Sequence, residues 1–179
     1  MQHKCRVEVL EKKLFSDYQR EYLADPESGE CPFYNVGDVT VFERYGGEDT
    51  FWTEAKGAHC AEAWDCISRY IYTALQGGAI MRGWTRDERI MIACCNDGTR
   101  PVIFKIERID YKALYIEGIG CDKCREKIRE SLMKLENATG VEFREDKGFA
   151  ELYVDGDISD DLIMGAVSAA GDYKVSKID

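Results

Sequence analysis

The sequence predicts an α+β protein of two small domains, residues 1–110 and 113–179. Three observations predict it. Residues 114–178 read as strand, helix, strand, strand, helix, strand, the βαββαβ order of the ferredoxin-like arrangement. Ahead of them, one strongly amphipathic helix over 59–76 precedes two alternating segments joined by Asn96-Asp97-Gly98-Thr99-Arg100. Only Asp110-Tyr111-Lys112-Ala113 links the halves, with no Gly, Ser or Pro.

In the first half, Cys5, Val7 and Val9 alternate with Arg6 and Glu8, which predicts a strand. Ser16 caps a short helix reaching about Leu23. Loops follow at Asp25-Pro26-Glu27-Ser28-Gly29 and between Gly29-Glu30-Cys31-Pro32 and Val36-Gly37-Asp38. Val39 to Arg44 is a strand that Gly46-Gly47 ends, and Phe51-Trp52-Thr53-Glu54 fits no single template. In the long helix, Cys60, Ala63, Trp64, Ile67, Ile71, Ala74 and Leu75 share one face, and Gly77-Gly78 stops it. Residues 82–88 form a loop. Ile90 to Cys95 and Val102 to Ile109 are two strands, with Pro101 at a strand start, where its missing N–H costs least.

In the second half, Leu114 to Ile116 enters the loop Gly118-Ile119-Gly120-Cys121-Asp122-Lys123-Cys124. A helix from about Lys123 to Glu136 follows, with Cys124, Ile128, Leu132 and Leu135 on one face. Asn137 to Gly140 is a turn, Val141 and Phe143 belong to a strand, and Asp146-Lys147-Gly148 turns the chain back. Ala150, Leu152 and Val154 mark the next strand. Ser159 caps a second helix whose apolar stripe is Leu162, Ile163, Ala166, Val167 and Ala170, ended by Gly171. Tyr173 to Ile178 is the last strand.

The Cys-x-x-Cys pair is where chemistry concentrates. Cys121 falls on the loop and Cys124 in the first turn of the helix. There, unpaired amide N–H groups and the positive end of the helix dipole favour thiolate. Two thiolates on a loop suit Cu(I) better than hard cations. Zinc wants two further ligands, and none lies close in sequence.

Composition narrows the classes of function. Net charge is −10, with 19 acidic and 15 basic side chains in residues 1–112 and 15 and 9 after them. An acidic surface of this kind disfavours nucleic acid and anionic membrane as partners. No apolar run approaches 18 residues, so no membrane insertion is expected. Met1-Gln2-His3-Lys4-Cys5-Arg6 lacks the apolar core of a signal peptide, and the expected location is cytoplasmic. Eight cysteines in a reducing compartment point to metal or redox roles more than to a disulfide framework. Two histidines are a thin supply for general acid–base work, and no catalytic constellation stands out, so the chain is read as a non-enzyme.

The element order together with Gly118-Ile119-Gly120-Cys121-Asp122-Lys123-Cys124, Gly140-Val141 and Ala169-Ala170-Gly171-Asp172-Tyr173 resembles the heavy-metal-associated (HMA) domain family over residues 113–179. That family consists of small soft-metal carriers, found as copper chaperones and as domains of copper-, zinc- or mercury-handling proteins. The resemblance implies Cys121 and Cys124 as metal ligands, with Gly118, Ile119, Gly120 and Tyr173 supporting the loop. Ile119 stands where the family usually has methionine, and Gly120 where it has Thr or Ser. Tyr173 comes two residues after Gly171 rather than directly after it. The implied cargo is Cu(I), with Zn(II) or Hg(II) as alternatives. The implied partner is a metal donor or acceptor such as a soft-metal transporting ATPase.

Residues 1–110 carry a different likeness. Cys94-Cys95-Asn96-Asp97-Gly98-Thr99-Arg100-Pro101-Val102-Ile103-Phe104-Lys105, with Lys4-Cys5, Gly29-Glu30-Cys31-Pro32 and Trp64, resembles a small prokaryotic family without an assigned activity. Cys94 and Cys95 are strand neighbours and point to opposite faces, so they do not chelate one ion together. Cys31, Cys94 and Cys95 are candidates for a second site, one of the pair joining Cys31 or Cys5. Cys5, Cys60 and Cys66 read as small core residues.

The leading reading is therefore soft-metal binding and transfer through Cys121 and Cys124, with the first domain as receiver or context. Two others stay open. The same dithiol suits thiol–disulfide exchange, although Pro26, Pro32 and Pro101 all precede it and no thioredoxin-like element order surrounds it. A metal sensor acting on the first domain is the third.

Overall fold

The computed structural model describes residues 1–43, 60–144 and 148–179. Gly46-Gly47, Phe51 to Glu54, His59 and Asp146-Lys147 lie outside the described residues. The fold is mixed α+β, every strand pairing is antiparallel, and contacts divide the chain into two compact units. One is His3–Ile109; the other is Asp110–Asp179 with Met1–Gln2. Each has its own apolar core.

In the first unit, β1 (Gln2–Lys12) pairs with β2 (Val39–Glu43), matching Cys5 to Phe42. Cys5, Val7 and Val9 are buried, as the alternation predicts. The short helix α1 spans Ser16–Tyr22, but Phe15 occupies the N-cap and no side chain caps it. Ser16 is thus the first helical residue rather than the cap. Phe15 instead ties its amide to the Thr99 carbonyl at 2.8 Å, so a tertiary contact sets the start of the helix. The long helix α2 spans Ala61–Leu75 and buries Ala63, Ile67, Ile71, Ala74 and Leu75. Each large aliphatic side chain buried there contributes about 2 kcal/mol by removal from water. β3 (Ile90–Cys94) pairs with β4 (Val102–Glu117), and the turn between them is held by Asp97. The Asp97 carboxylate accepts the Thr99 amide and hydroxyl, each at 2.9 Å, and meets Arg100 at 3.0 Å.

β4 departs most from the sequence reading. The two strands expected at 102–109 and 114–116 form one strand of 16 residues. Residues 110–113, read as a link, are strand backbone, with Tyr111, Lys112 and Ala113 buried. Lys112 reaches Asp160 from there at 2.7 Å. A short window with alternating Tyr, Lys and Ala carries no turn residue, and pairing with the strand at residues 149–154 decides its state.

In the second unit, α3 (Asp122–Leu132) follows β4, then β5 (Ala138–Phe143), β6 (Phe149–Val154), α4 (Asp160–Ala169) and β7 (Lys174–Ile178). β4 lies between β7 and β6, and β6 pairs with β5. Counted within the unit, the spatial order is fourth, first, third, second, the split-βαβ topology. Ile128, Leu132, Ile163 and Val167 close one face over Leu114, Ala150 and Leu152. Three boundaries differ from expectation. α3 stops at Leu132 rather than near Glu136, because Met133 caps it. Ala138 to Gly140 belongs to β5 rather than to a turn; the turn lies before them and ends at Asn137, whose φ is 70°. Leu162 faces solvent, since Ile163 and Val167 already fill the core side of α4. Ser159 caps α4 as read, its hydroxyl accepting the Leu162 amide. Glu151 is 2% exposed, held by Arg144 at 2.7 Å and the Tyr153 hydroxyl at 2.8 Å.

Candidate metal centre

The Gly118–Cys124 loop joins β4 to α3, and its geometry follows from short-range bonds. Cys121 is the N-cap of α3, with extended backbone at φ −156°, ψ 162°. Its carbonyl accepts the amides of Cys124 at 3.0 Å and Arg125 at 3.2 Å. Its sulfur accepts the Cys124 amide as well, at 3.3 Å. A sulfur here does what a serine oxygen does at an ordinary N-cap. Cys121 is exposed and Cys124 half-buried. Their Cα atoms are 5.2 Å apart, and the two sulfurs are paired as a disulfide. Both sulfurs thus reach one point at the open end of the helix.

The residues around the loop differ in how tightly they are held. Gly118 has φ +92°, and a Cβ there would stand 2.8 Å from the Asp172 carbonyl oxygen and 3.5 Å from the Tyr173 ring. Glycine is therefore required twice over, by backbone conformation and by space. Tyr173 packs on the second core and against this glycine, so it braces the base of the loop. Ile119 packs on the same core. Gly120 has open space around it, which leaves the approach to Cys121 uncrowded.

The other cysteines are free thiols in contrasting settings. Cys5 is fully buried, and that burial pushes its thiol up to about 12. Cys94 is exposed on the far face of β3, its sulfur 3.1 Å from the Cys95 carbonyl. Partial burial raises its thiol above the ordinary value, with the charges of Cys95 and Cys66 adding. The candidate trio of Cys31, Cys94 and Cys95 is therefore split: Cys31 and Cys95 line one small cavity, and Cys94 does not. Cys60, read as part of a helix stripe, lines that cavity with them. Its place one residue before α2 was the available signal, because an N-cap points its side chain away from the stripe. Among the described residues, no three or more His, Cys, Asp or Glu side chains are already gathered as a metal ion would hold them. No described helix is long and apolar enough to cross a membrane.

No protein-family model matches the sequence, and no curated protein matches it. Among solved structures, the chain is similar in part to the solution structure of the yeast copper transporter domain Ccc2a, determined in apo and Cu(I)-loaded states. The match is 19% identical, covers 37% of this chain and 94% of that one, and has a TM-score of 0.34.

Proposed function

We propose that this protein binds Cu(I) as cargo through Cys121 and Cys124 and hands it on by ligand exchange, as a carrier rather than an enzyme. One observation carries the reading: two sulfurs stand three residues apart at the exposed N-terminus of α3, with Cα atoms 5.2 Å apart. On reduction, the dithiol offers two soft donors and no third ligand among the described neighbours. That suits a two-coordinate ion such as Cu(I) or Hg(II) better than Zn(II), which wants four ligands. Each thiol gives up its proton as the ion enters. A partner thiolate then adds to the ion, one protein sulfur leaves, and the ion transfers without passing free through water. Exposure of Cys121 gives that partner its route. The fitting partner presents a similar dithiol, as in a soft-metal transporting ATPase, in a reducing compartment such as the cytoplasm.

The pairing of the same sulfurs as a disulfide favours one second reading, a thiol–disulfide carrier. There, the disulfide takes two electrons and two protons from a dithiol partner, which is itself oxidised to a disulfide. Competitive titration of the reduced chain with Cu(I) and Zn(II), repeated on Cys121→Ser, separates the readings. The expected result is that the variant loses one tightly held Cu(I). A variant that holds as many Cu(I) ions as the parent, equally tightly, overturns the proposal.

A further inference from the structure

Three segments far apart in sequence bring thiols to one cavity in the first unit. Cys31 comes from the loop after α1, Cys60 from the start of α2, and Cys95 from the end of β3. Their setting differs from that of a core cysteine. Cys31 and Cys95 are each 9% exposed and Cys60 is half-buried, against 0% for Cys5. Cys60 is the N-cap of a 15-residue helix, yet its side chain makes no cap bond, so its sulfur is available at the positive end of the dipole. The Cys95 sulfur accepts the Val102 amide at 3.3 Å, which fixes its position in the lining. The Tyr34 ring, set edge-on against Phe104 at 5.3 Å, lines the same cavity. Burial raises its hydroxyl above the ordinary tyrosine value, Cys60 and Cys31 add to that, and the Cys60 amide, whose bond it accepts, opposes it. Arg100, tied to Asp97 at 3.0 Å, supplies a cation in the lining.

The cavity's size selects its occupant. It holds about 50 Å³, room for roughly one or two waters, whereas an organic ligand site needs on the order of 300 Å³ or more. A bare ion fits. A four-ligand cage is not assembled among the described residues, which argues against Zn(II) and for an ion satisfied by two sulfurs.

We propose that this cavity is a second thiophilic site, binding one Cu(I) through two of the three thiols Cys31, Cys60 and Cys95. Two protons leave as the ion enters, and the bis-thiolate complex carries a single negative charge. The site stands on its own residues and does not depend on the Cys121–Cys124 loop.

The test uses the full reduced chain and its Cys121→Ser/Cys124→Ser variant under anaerobic conditions, with Cu(I) supplied as its bicinchoninate complex. X-ray absorption of the copper-loaded variant should show a sulfur-only shell. Peptide-mapped iodoacetamide labelling should show two of Cys31, Cys60 and Cys95 protected by roughly fivefold or more in both proteins, with Cys66 and Cys94 unchanged and no protection by Zn(II). A variant that takes up no copper, or holds it only through nitrogen and oxygen, overturns the proposal. So does labelling of all three thiols that copper leaves unchanged. Loss of protection at Cys121 and Cys124 alone would instead count against the loop site, so the two assignments fail separately.

Discussion

Cys121 and Cys5 are the same side chain in opposite circumstances, and the difference separates chemistry from packing. Cys121 caps a helix at the surface, where its sulfur accepts the Cys124 amide and a partner can reach it. Cys5 lies on the inner face of β1 with no exposure, where charge is penalised and the thiol behaves as a small apolar group. Cys31, Cys60 and Cys95 fall between these limits, at the edge of the first core yet facing a cavity. A cysteine's role therefore follows from its access and its nearest N–H groups, not from its residue type.

The largest expected effect is kinetic. In the reduced protein at neutral pH, Cys121 should be alkylated on the order of a thousandfold faster than Cys5, because thiolate fraction and access both favour it. Mass-spectrometric labelling time courses read the ratio, and equal rates would erase the contrast.

A pH titration of stability sharpens the buried side. The folded thiol of Cys5 is raised from 9.0 to about 12. Folding therefore favours the neutral form, so the contribution is whole below pH 9. It declines as pH rises from 9 towards 12, because only the unfolded state ionises there. The full loss is about 4 kcal/mol by linkage. Denaturant unfolding across that range should fall more steeply for the parent than for Cys5→Ala; identical slopes would show that Cys5 titrates normally.

On the exposed side, Gly118→Ala should cost about 2 kcal/mol, from the positive φ and the close Asp172 carbonyl together. Gly120→Ala, with open space around it, should stay within about 0.5 kcal/mol. Thermal unfolding of both variants checks the pair, and equal melting points would mean that the loop base is not constrained as described.

The smallest effect reverses the roles of the two cysteines. Cys5→Ser buries a hydroxyl and should cost about 1–2 kcal/mol while leaving copper stoichiometry intact. Cys121→Ser keeps an N-cap acceptor and should leave stability within about 0.5 kcal/mol while removing a copper ligand. Chemical unfolding and Cu(I) titration of each variant should give opposite patterns; matching patterns would dissolve the distinction.

What was legible in the sequence was local. The periodicity after the Cys-x-x-Cys pair puts Cys121 on the loop and Cys124 in the first turn of the helix, because a helix start is decided within about four residues. Ser159 caps α4 for the same reason, and the alternation of Cys5, Val7 and Val9 survives in β1 because a strand's faces repeat every two residues. Tertiary structure decided what depends on partners distant in the chain. Residues 110–113 became buried strand because β6 pairs with them, although no local signal distinguished them from a link. Cys94 and Cys95 were rightly sent to opposite faces, yet the choice of Cys95 over Cys94 for the cavity came from which face of β3 meets the first core. The meeting of Cys31, Cys60 and Cys95 belongs to the same class. Short-range periodicity sets which way each side chain points, but convergence of three separate segments is fixed only when the cores close and the register of the strands is chosen.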